Sequence, residues 1–333
     1  MAPWDRRPKL RVGPKTPGSA GSGLRSAPLA AIPGEPRRSP EPKPILHASP
    51  SRGALARALA GLSVVLFVVL HLACGLVVLH PATWNLAGLA LGSYLLRMWA
   101  ITAGYHRYFA HRSYRTSRAF QLVLAVLGAS AMQNGPLWWA SWHRRHHKDA
   151  DGPSDPHSPR RGGFWHSHVG WFLDGSHDDP DLSNVGDLAR YPELRFLDRH
   201  KWLPIVGYAL ACFVIAGVAG LVWGFLLPTI AALHATALIN SVAHVWGRRR
   251  YDTRDDSRNN ALLAVVTLGE GWHNNHHHYM SSARQGFRWY ELDLTYASLK
   301  VLSWLGVVWD LRQPPAHTSE ARPGALLDRP AEG

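Results

Sequence analysis

Residues 203–243 read LPIVGYALACFVIAGVAGLVWGFLLPTIAALHATALINSVA, an apolar tract that contains no Asp, Glu, Lys or Arg. At a rise of about 1.5 Å per residue, the tract is about twice as long as one crossing of a bilayer requires. Trp223–Gly224 and Pro228 offer a place for the chain to break. We therefore predict two transmembrane helices here, over about 203–222 and 224–243.

Two further apolar runs precede this tract. The run 58–79 carries His71 as its only ionisable group, and the run 83–104 carries Arg97 near its far end. Each run is long enough to cross a hydrocarbon core of about 30 Å, and the long side chain of Arg97 is expected to reach the headgroups. The apolar segment 119–132 is too short for a span and predicts a buried, re-entrant or interfacial helix. The fold class predicted is therefore an all-α integral membrane protein with four transmembrane helices.

The charge of the chain is unbalanced. Its 333 residues include 36 Lys and Arg against 23 Asp and Glu, a formal net charge of +13. Residues 1–52 are rich in Pro and Arg and poor in apolar surface, so we predict a disordered tail, which the positive-inside rule places in the cytoplasm. We expect a membrane domain over 53–312 and a flexible tail over 313–333. No nucleic-acid-binding motif is present, and we expect no nucleic acid partner.

Three histidine patterns follow the predicted helices: HRYFAH at 106–111, HRRHH at 143–147 and HNNHHH at 273–278. Spacings of i, i+3 and i+4 put imidazoles on one face of a helix, where they suit one metal or two neighbouring metals. The chain has two cysteines, both inside apolar runs, which excludes a Cys-ligated zinc or iron–sulfur site. Imidazole alone does not choose among Zn, Cu, Fe and Ni. Eight or more histidines exceed the four ligands of a tetrahedral zinc site, which favours a dinuclear iron centre.

One metal centre requires all three patterns on one face of the membrane. Four spans satisfy this requirement, provided that 119–132 does not cross. The polar stretches 140–200 and 245–290 would then form a cytosolic helical cap that holds the histidine-rich site. His71 and His234 stand outside the patterns and are expected to be packed or solvated.

HRYFAH, HRRHH and TLGEGWHNNHH, together with NSVAHVWG, MQNG, DPHSPRRG and SHVGW, resemble the membrane-bound Δ9 acyl-CoA desaturases, the stearoyl-CoA desaturase family, over about 85–290. The resemblance implies that nine histidines bind two irons and that Asn240 approaches one metal through a water. The nine are His106, His111, His143, His146, His147, His244, His273, His276 and His277. His278 lies one position beyond the family's pattern. His157 and His168 lie in family motifs away from the ligand positions, where support of the ligands or packing is expected.

The family's acyl tunnel bends beside the metals, and by local spacing the bend residues correspond to Trp139, Gln133 and Thr236. The implied activity is O2-dependent desaturation, which inserts a cis double bond at Δ9 into a saturated acyl chain with two Fe2+ ions. No His-Pro-Gly-Gly string of a fused cytochrome b5 occurs. Electrons are therefore expected from a separate ferredoxin or cytochrome b5-type protein and its reductase. Ala140-Ser141-Trp142 replaces the charged pair that precedes HRRHH in the family, so the acyl carrier, CoA or lipid, stays open.

Two alternatives from other classes remain. A di-iron fatty-acid or lipid hydroxylase uses the same metal plan and gives an alcohol. A non-catalytic membrane metal-binding protein would carry ionisable residues along its spans rather than at helix ends. The Arg-, Ala- and Gly-rich composition is typical of a bacterial protein, which predicts an inner-membrane location with the N-terminus, histidines and C-terminus in the cytoplasm. Basic side chains such as Arg144 and Arg145 could attract CoA phosphates, lipid headgroups or an acidic electron donor.

Overall fold

The computed structural model describes residues 55–177 and 179–315, which are mostly helical. The predicted disordered tail 1–52 and most of the predicted tail 313–333 lie outside the described residues. The α-helices are α1 (Leu55–Cys74), α2 (Trp84–Trp99), α3 (Arg118–Ala129), α4 (Pro136–Lys148), α5 (Pro159–Gly162), α6 (Trp171–Leu173), α7 (Gly186–Ala189), α8 (Pro192–Arg199), α9 (Trp202–Gly220), α10 (Leu227–Ser241), α11 (Ala261–Val266), α12 (His273–His278) and α13 (Leu294–Trp304). π-Helical segments lie at Ala100–Ala110, His166–Gly170 and Leu221–Leu226, and 3-10 turns at Gly75–Leu79, Leu182–Asn184 and Val242–His244. Two short strands, β1 (Arg115–Thr116) and β2 (Val308–Trp309), pair antiparallel.

Three helical stretches in the described part are long and apolar enough to cross a membrane: Gly61–Leu79, Trp84–Ala110 and Trp202–His244. The first two coincide with the first two spans expected from the sequence. The short apolar segment expected at 119–132 forms α3, which has 12 residues and is too short to cross. The Ser117 hydroxyl starts α3 by accepting from the N–H of Phe120 at 3.2 Å.

The third stretch is not one straight helix. Backbone angles are non-helical at Ala216–Gly217, where Gly217 has φ 60° and ψ −143°. A Cβ atom at Gly220 would lie 2.0 Å from the carbonyl oxygen of Cys212, whereas a straight helix would separate the two residues by about 12 Å along its axis. The chain therefore folds back on itself at Gly217. The predicted break at Trp223–Gly224 is wrong, because those residues are π-helical and Pro228 fits the first turn of α10.

Arg97 is fully buried, so the prediction that it reaches the headgroups is wrong. Its guanidinium donates to the hydroxyl of Ser93 at 3.0 Å, to the hydroxyl of Thr229 and to the carbonyl oxygen of Phe225 at 3.2 Å. The ring of Tyr208 lies 4.7 Å from the guanidinium carbon. Arg97 thus ties α2 to both arms of the folded-back stretch. Its partners are distant in the sequence, which is why hydropathy alone did not show them.

The largest described core cluster lies where α3 and α4 pack against the π-helical segment Ala100–Ala110. Tyr105, Leu124 and Leu137 are buried members of this cluster. Gly128 allows α3 to pack closely against Tyr105, because a Cβ atom at this position would lie 2.2 Å from the Tyr105 ring. This packing brings the end of the second apolar stretch against the helix that carries HRRHH.

Candidate metal centre

The first two candidate ligands lie at the end of a π-helical segment. The N–H of His111 donates to the carbonyl oxygen of His106 at 3.1 Å, the i to i+5 bond of a π-helix. Residues five apart share a face in this winding, and the Nε2 atoms of the two histidines lie 3.1 Å apart. In an α-helix with 3.6 residues per turn the same spacing would direct them to different faces. The HxxxxH spacing therefore suits the π-helix that the structure shows.

The start of α4 is held by Asp198. Its carboxylate accepts from the N–H groups of Leu137 and Trp138 at 3.0 Å each. A carboxylate at this end of a helix satisfies free donors and opposes the positive end of the helix dipole. Gly135 makes room for it, since a Cβ atom there would lie 2.2 Å from a carboxylate oxygen of Asp198. This contact fixes the helix that carries the second histidine pattern.

The two asparagines of HNNHHH hold α12 in place. Asn274 accepts through Oδ1 from the backbone N–H groups of 250–251 at 2.7 Å each. Asn275 donates through Nδ2 to the carboxylate of Glu291 at 2.9 Å. Both asparagine side chains are buried. They attach the helix to the surrounding loops and leave its histidines free to face the centre.

The nine histidines predicted as ligands converge into two buried or half-buried groups. The five-histidine group is His106, His111, His143, His147 and His276, and the four-histidine group is His146, His244, His273 and His277. Helix α4 contributes two histidines four residues apart to the five-histidine group and the histidine between them to the four-histidine group. Helix α12 does the reverse, with two histidines in the four-histidine group and one in the five-histidine group. The groups are adjacent, because the rings of His147 and His277 lie 4.5 Å apart between centroids.

The spacing of the nitrogens fits metal ions. Nε2 atoms of neighbouring rings lie 2.8–3.1 Å apart in the five-histidine group. In the four-histidine group two Nε2 pairs are separated by 3.0 and 3.3 Å. Two nitrogens that are each about 2.1 Å from one ion lie about 3.0 Å apart at a right angle and about 3.4 Å apart at the tetrahedral angle. Lone pairs that face each other at this distance repel unless a cation or proton lies between them, so the groups are compatible with bound metal.

Four of the candidate ligands have a carboxylate next to Nδ1, on the side of the ring away from the group, and the sequence did not lead us to predict these carboxylates. The pairs are His146 with Asp155, His244 with Asp151 and His277 with Asp255, each at 2.9 Å from Nδ1 to oxygen, and His106 with Glu270. A neutral imidazole that donates from Nδ1 leaves Nε2 unprotonated, and Nε2 is the atom that faces the group. A signal was available, because all four acids lie in the polar stretches that hold or flank the histidine patterns.

Burial sets the protonation of these groups. It lowers the pKa of five imidazoles well below the usual range and that of His277 to about 4; the five are His111, His143, His147, His273 and His276. Burial also acts to lower the pKa of His146, but the charge of Asp155 outweighs it and raises that pKa. Burial alone would raise the pKa of Asp255, but the hydrogen bond from His277 and its charge lower it. The six imidazoles with a lowered pKa favour the neutral form, which a metal requires of its ligands, whereas His146 would have to lose its proton when a metal binds.

A cavity of about 400 Å³ reaches the five-histidine group from the side of the apolar helices. A second cavity of about 40 Å³ lies beyond it, and Trp139, His143, Thr236 and Asn240 line both. Gln133 donates through Nε2 to the Thr236 hydroxyl at 3.0 Å. The ring of Trp139 stacks on His143 with centroids 4.8 Å apart. The three predicted bend residues therefore meet where the two cavities join, next to a candidate ligand.

Two other histidines of the motifs lie outside both groups. His278 is exposed and stacks on Tyr251, with ring centroids 4.1 Å apart. His157 is buried against His146, with ring centroids 4.5 Å apart. His157 thus supports a candidate ligand from behind, and His278 stands apart, as the resemblance implied.

The sequence-based suggestion that Arg144 could attract phosphates is wrong. Arg144 is not free to attract phosphates, because it donates to Asp187 at 2.7 Å and to backbone carbonyl oxygens. His71 and His234 are packed against each other: their Nε2 atoms lie 2.9 Å apart, and Nδ1 of His234 lies 3.0 Å from Nε2 of His168. His168 therefore belongs to a separate three-histidine chain rather than to the surroundings of the candidate ligands.

Known proteins are similar to this chain in sequence. A sequence profile described as Fatty acid desaturase matches residues 79–303, which contain all nine histidines. A chloroplastic probable lipid desaturase of Arabidopsis thaliana is 41% identical over 217 residues, 64% of this chain and 60% of the relative, so the chain spans less than two thirds of that protein. An acyl-CoA 5-desaturase of Anemone leveillei is 38% identical over 236 residues, 70% of this chain and 73% of the relative. An sn-1 stearoyl-lipid 9-desaturase of Anabaena variabilis is 36% identical over 234 residues, 68% of this chain and 86% of the relative. The chain therefore belongs to the fatty acid desaturase family, whose members are membrane-bound oxidoreductases that act on fatty acyl chains.

Proposed function

We propose that this protein is an O2-dependent acyl desaturase that inserts a cis double bond, at Δ9, into a saturated acyl chain linked to CoA or to a lipid. The observation that carries the proposal is the apolar cavity that ends beside His143 of the five-histidine group. Relatives named for acyl-CoA and acyl-lipid substrates support the reaction class. The position of the double bond follows from the resemblance and from the meeting of Trp139, Gln133 and Thr236 at the bend.

Each histidine group would hold one iron through its Nε2 atoms, and Asn240, which lines both cavities, would approach one iron through a water. When bound, the two irons supply the oxidation with O2 and electrons from outside. The carboxylates behind the rings keep Nδ1 protonated and Nε2 free for the metal.

In this proposal the cavity selects the reacting carbon by positioning the acyl chain, not by binding a charge. An acyl methylene offers no charge to bind, so selectivity must come from the shape that places one C–H beside the centre. Burial of the chain contributes about 0.8 kcal/mol per CH2, which is ample to hold it in the bend. In this proposal, Trp139 and the hydrogen-bonded pair of Gln133 and Thr236 form the wall of the cavity at the point where the acyl chain turns.

The electron donor in this proposal is a separate ferredoxin or cytochrome b5-type protein with its reductase. The protein would be a multi-pass protein of a bacterial inner membrane, with its N-terminus, histidines and C-terminus in the cytoplasm. The reversal at Gly217 supports four spans, because it divides Trp202–His244 into two arms that pack together. An even number of spans puts all histidine patterns on the side of the N-terminus.

The test is the fatty acid profile of a host that expresses the chain, with double-bond positions mapped by mass spectrometry. His276→Ala removes a candidate ligand, and His278→Ala is its matched control, because His278 is in the same helix but outside both groups. We expect Δ9 cis-monoenes with the unchanged chain and with His278→Ala, and none with His276→Ala. Hydroxylated chains instead would assign the protein to the hydroxylases. Equal monoene yields from the two variants would overturn the ligand assignment.

A further inference from the structure

The larger cavity is bordered by two apolar helices that are not bonded to each other. Phe67 of α1 and Ile205 of α9 both line it, and no hydrogen bond joins these helices among the described residues. None of the described side chains of α1, residues 61–74, is buried. Apolar surface provides little force to hold such a helix against the protein in a bilayer, because lipid tails are as apolar as the helix.

One polar contact attaches α1 to another helix. His71 donates through Nδ1 to the carbonyl oxygen of Phe67 at 2.7 Å, and its Nε2 lies 2.9 Å from Nε2 of His234 in α10. Within 61–74, this is the one side-chain hydrogen bond to another helix. All the α1 residues that line the cavity, from Ser63 to Leu70, precede this contact. The part of α1 that lines the cavity is therefore the part that precedes its one hydrogen bond to another helix.

The polar end of the cavity is built for an interface. Lys201, Trp202 and Asn134 line it where α9 begins, and the Lys201 ammonium donates to the side-chain oxygen of Asn134. Lys201 and Trp202 are both exposed. A tryptophan beside a lysine at the start of an apolar helix is typical of the headgroup level, where an ammonium attracts lipid phosphate.

We propose that the acyl chain enters sideways from the bilayer, through the gap between α1 and α9, and that the substrate is an acyl group of a membrane phospholipid whose phosphate stays beside Lys201. This inference rests on the proposed desaturase function and selects the lipid carrier over CoA. Arg144, the arginine next to His143, is held by Asp187 and by backbone carbonyl oxygens, so it is not available to the phosphates of CoA.

The experiment uses the iron-loaded protein in bilayer discs of phosphatidylglycerol in which one saturated chain carries a diazirine. A parallel sample receives diazirine-labelled acyl-CoA in unlabelled discs. After illumination, mass spectrometry measures labelling at Ala237, which lines the cavity and is buried, so that lipid around the protein does not reach it. We expect phospholipid to label Ala237 at least tenfold more than acyl-CoA does. A ratio of one or less would overturn the inference.

Two variants test the path itself. Leu66→Trp adds bulk inside the cavity, and Val65→Trp adds the same ring type at the next position of α1, which is exposed and does not line the cavity. We expect Leu66→Trp to reduce phospholipid labelling of Ala237 at least tenfold and Val65→Trp to leave it unchanged; equal labelling would contradict entry past α1. Alkene formation in the same discs, with ferredoxin or cytochrome b5, the matching reductase and its reductant added, reports the function separately. Alkenes from acyl-CoA alone would refute the phospholipid substrate and leave the desaturase function standing, whereas no alkene from either substrate would refute the function.

Discussion

Asp255 offers the sharpest test of how the four-histidine group is built. One carboxylate oxygen accepts from Nδ1 of His277 at 2.9 Å, and the other accepts from the N–H of Ser257 at 3.0 Å. Asp255→Asn keeps the shape but has one oxygen and one NH2 group. Whichever way the amide turns, one buried donor faces another donor. An unpaired buried donor costs about 1–3 kcal/mol.

That cost should appear as weaker metal binding. Loss of a partner behind a metal-ligating histidine lowers affinity by about 10–100-fold, or about 1.4–2.7 kcal/mol. His277 belongs to the four-histidine group, so only one of the two proposed irons is affected. We expect Asp255→Asn to keep about one iron per chain at a chelator concentration at which the unchanged protein keeps both.

Asp256→Asn is the matched control for this measurement. Asp256 is the next residue, but its carboxylate pairs with Arg160 near the surface and touches no histidine of either group. Such a surface pair contributes about 0–1 kcal/mol, so iron content should not change. Iron per chain is measured by plasma mass spectrometry after equilibration with graded chelator. Equal iron retention by the two variants would refute the role assigned to Asp255.

Three other perturbations probe the metal, the buried ion network and the bend. Removal of metal by chelation should lower the thermal unfolding temperature, because a ligand at 100 times its Kd stabilises a folded protein by about 2.7 kcal/mol. An unchanged unfolding temperature in a thermal scan would argue against a metal centre. Arg107→Leu leaves Glu270 and Asp293 buried without their cation and should lower the free energy of unfolding by about 3–5 kcal/mol. Arg118→Ala removes an exposed pair and should lower it far less; denaturation in detergent compares the two variants, and equal losses would contradict the role of the buried network. Thr236→Val removes the hydroxyl that accepts from the glutamine at the bend and should spread the double-bond position over neighbouring carbons; a single unchanged position by mass spectrometry would show that this hydrogen bond does not define the bend.

Local sequence was sufficient for the parts of the fold that depend on hydropathy and spacing. The lengths of the apolar runs alone located the first two long helices and distinguished them from the short α3, because a helix must have about 20 apolar residues to cross a bilayer. The i, i+3 and i+4 spacings located the histidines of α4 and α12, because a helix fixes which residues share a face. The break in the third stretch was misplaced because several glycines there can adopt the required backbone. Gly220 and Gly224 are instead used for close packing against Cys212, which leaves Gly217 for the turn.

The division of the nine histidines depended on tertiary structure. Helical spacing puts His143, His146 and His147 on one face, but it does not tell which side of that face meets α12 and which meets the π-helix that carries His106. The carboxylates behind the rings and the partners of Arg97 and His71 are also distant in the sequence. By itself, the sequence determined the apolar helices, because they follow from residue type and length, and its motifs determined the family, whose resemblance implied the nine candidate ligands. The two groups, the reversal at Gly217 and the cavity beside His143 were decided only by the tertiary structure, because they depend on how helices distant in the chain pack against one another.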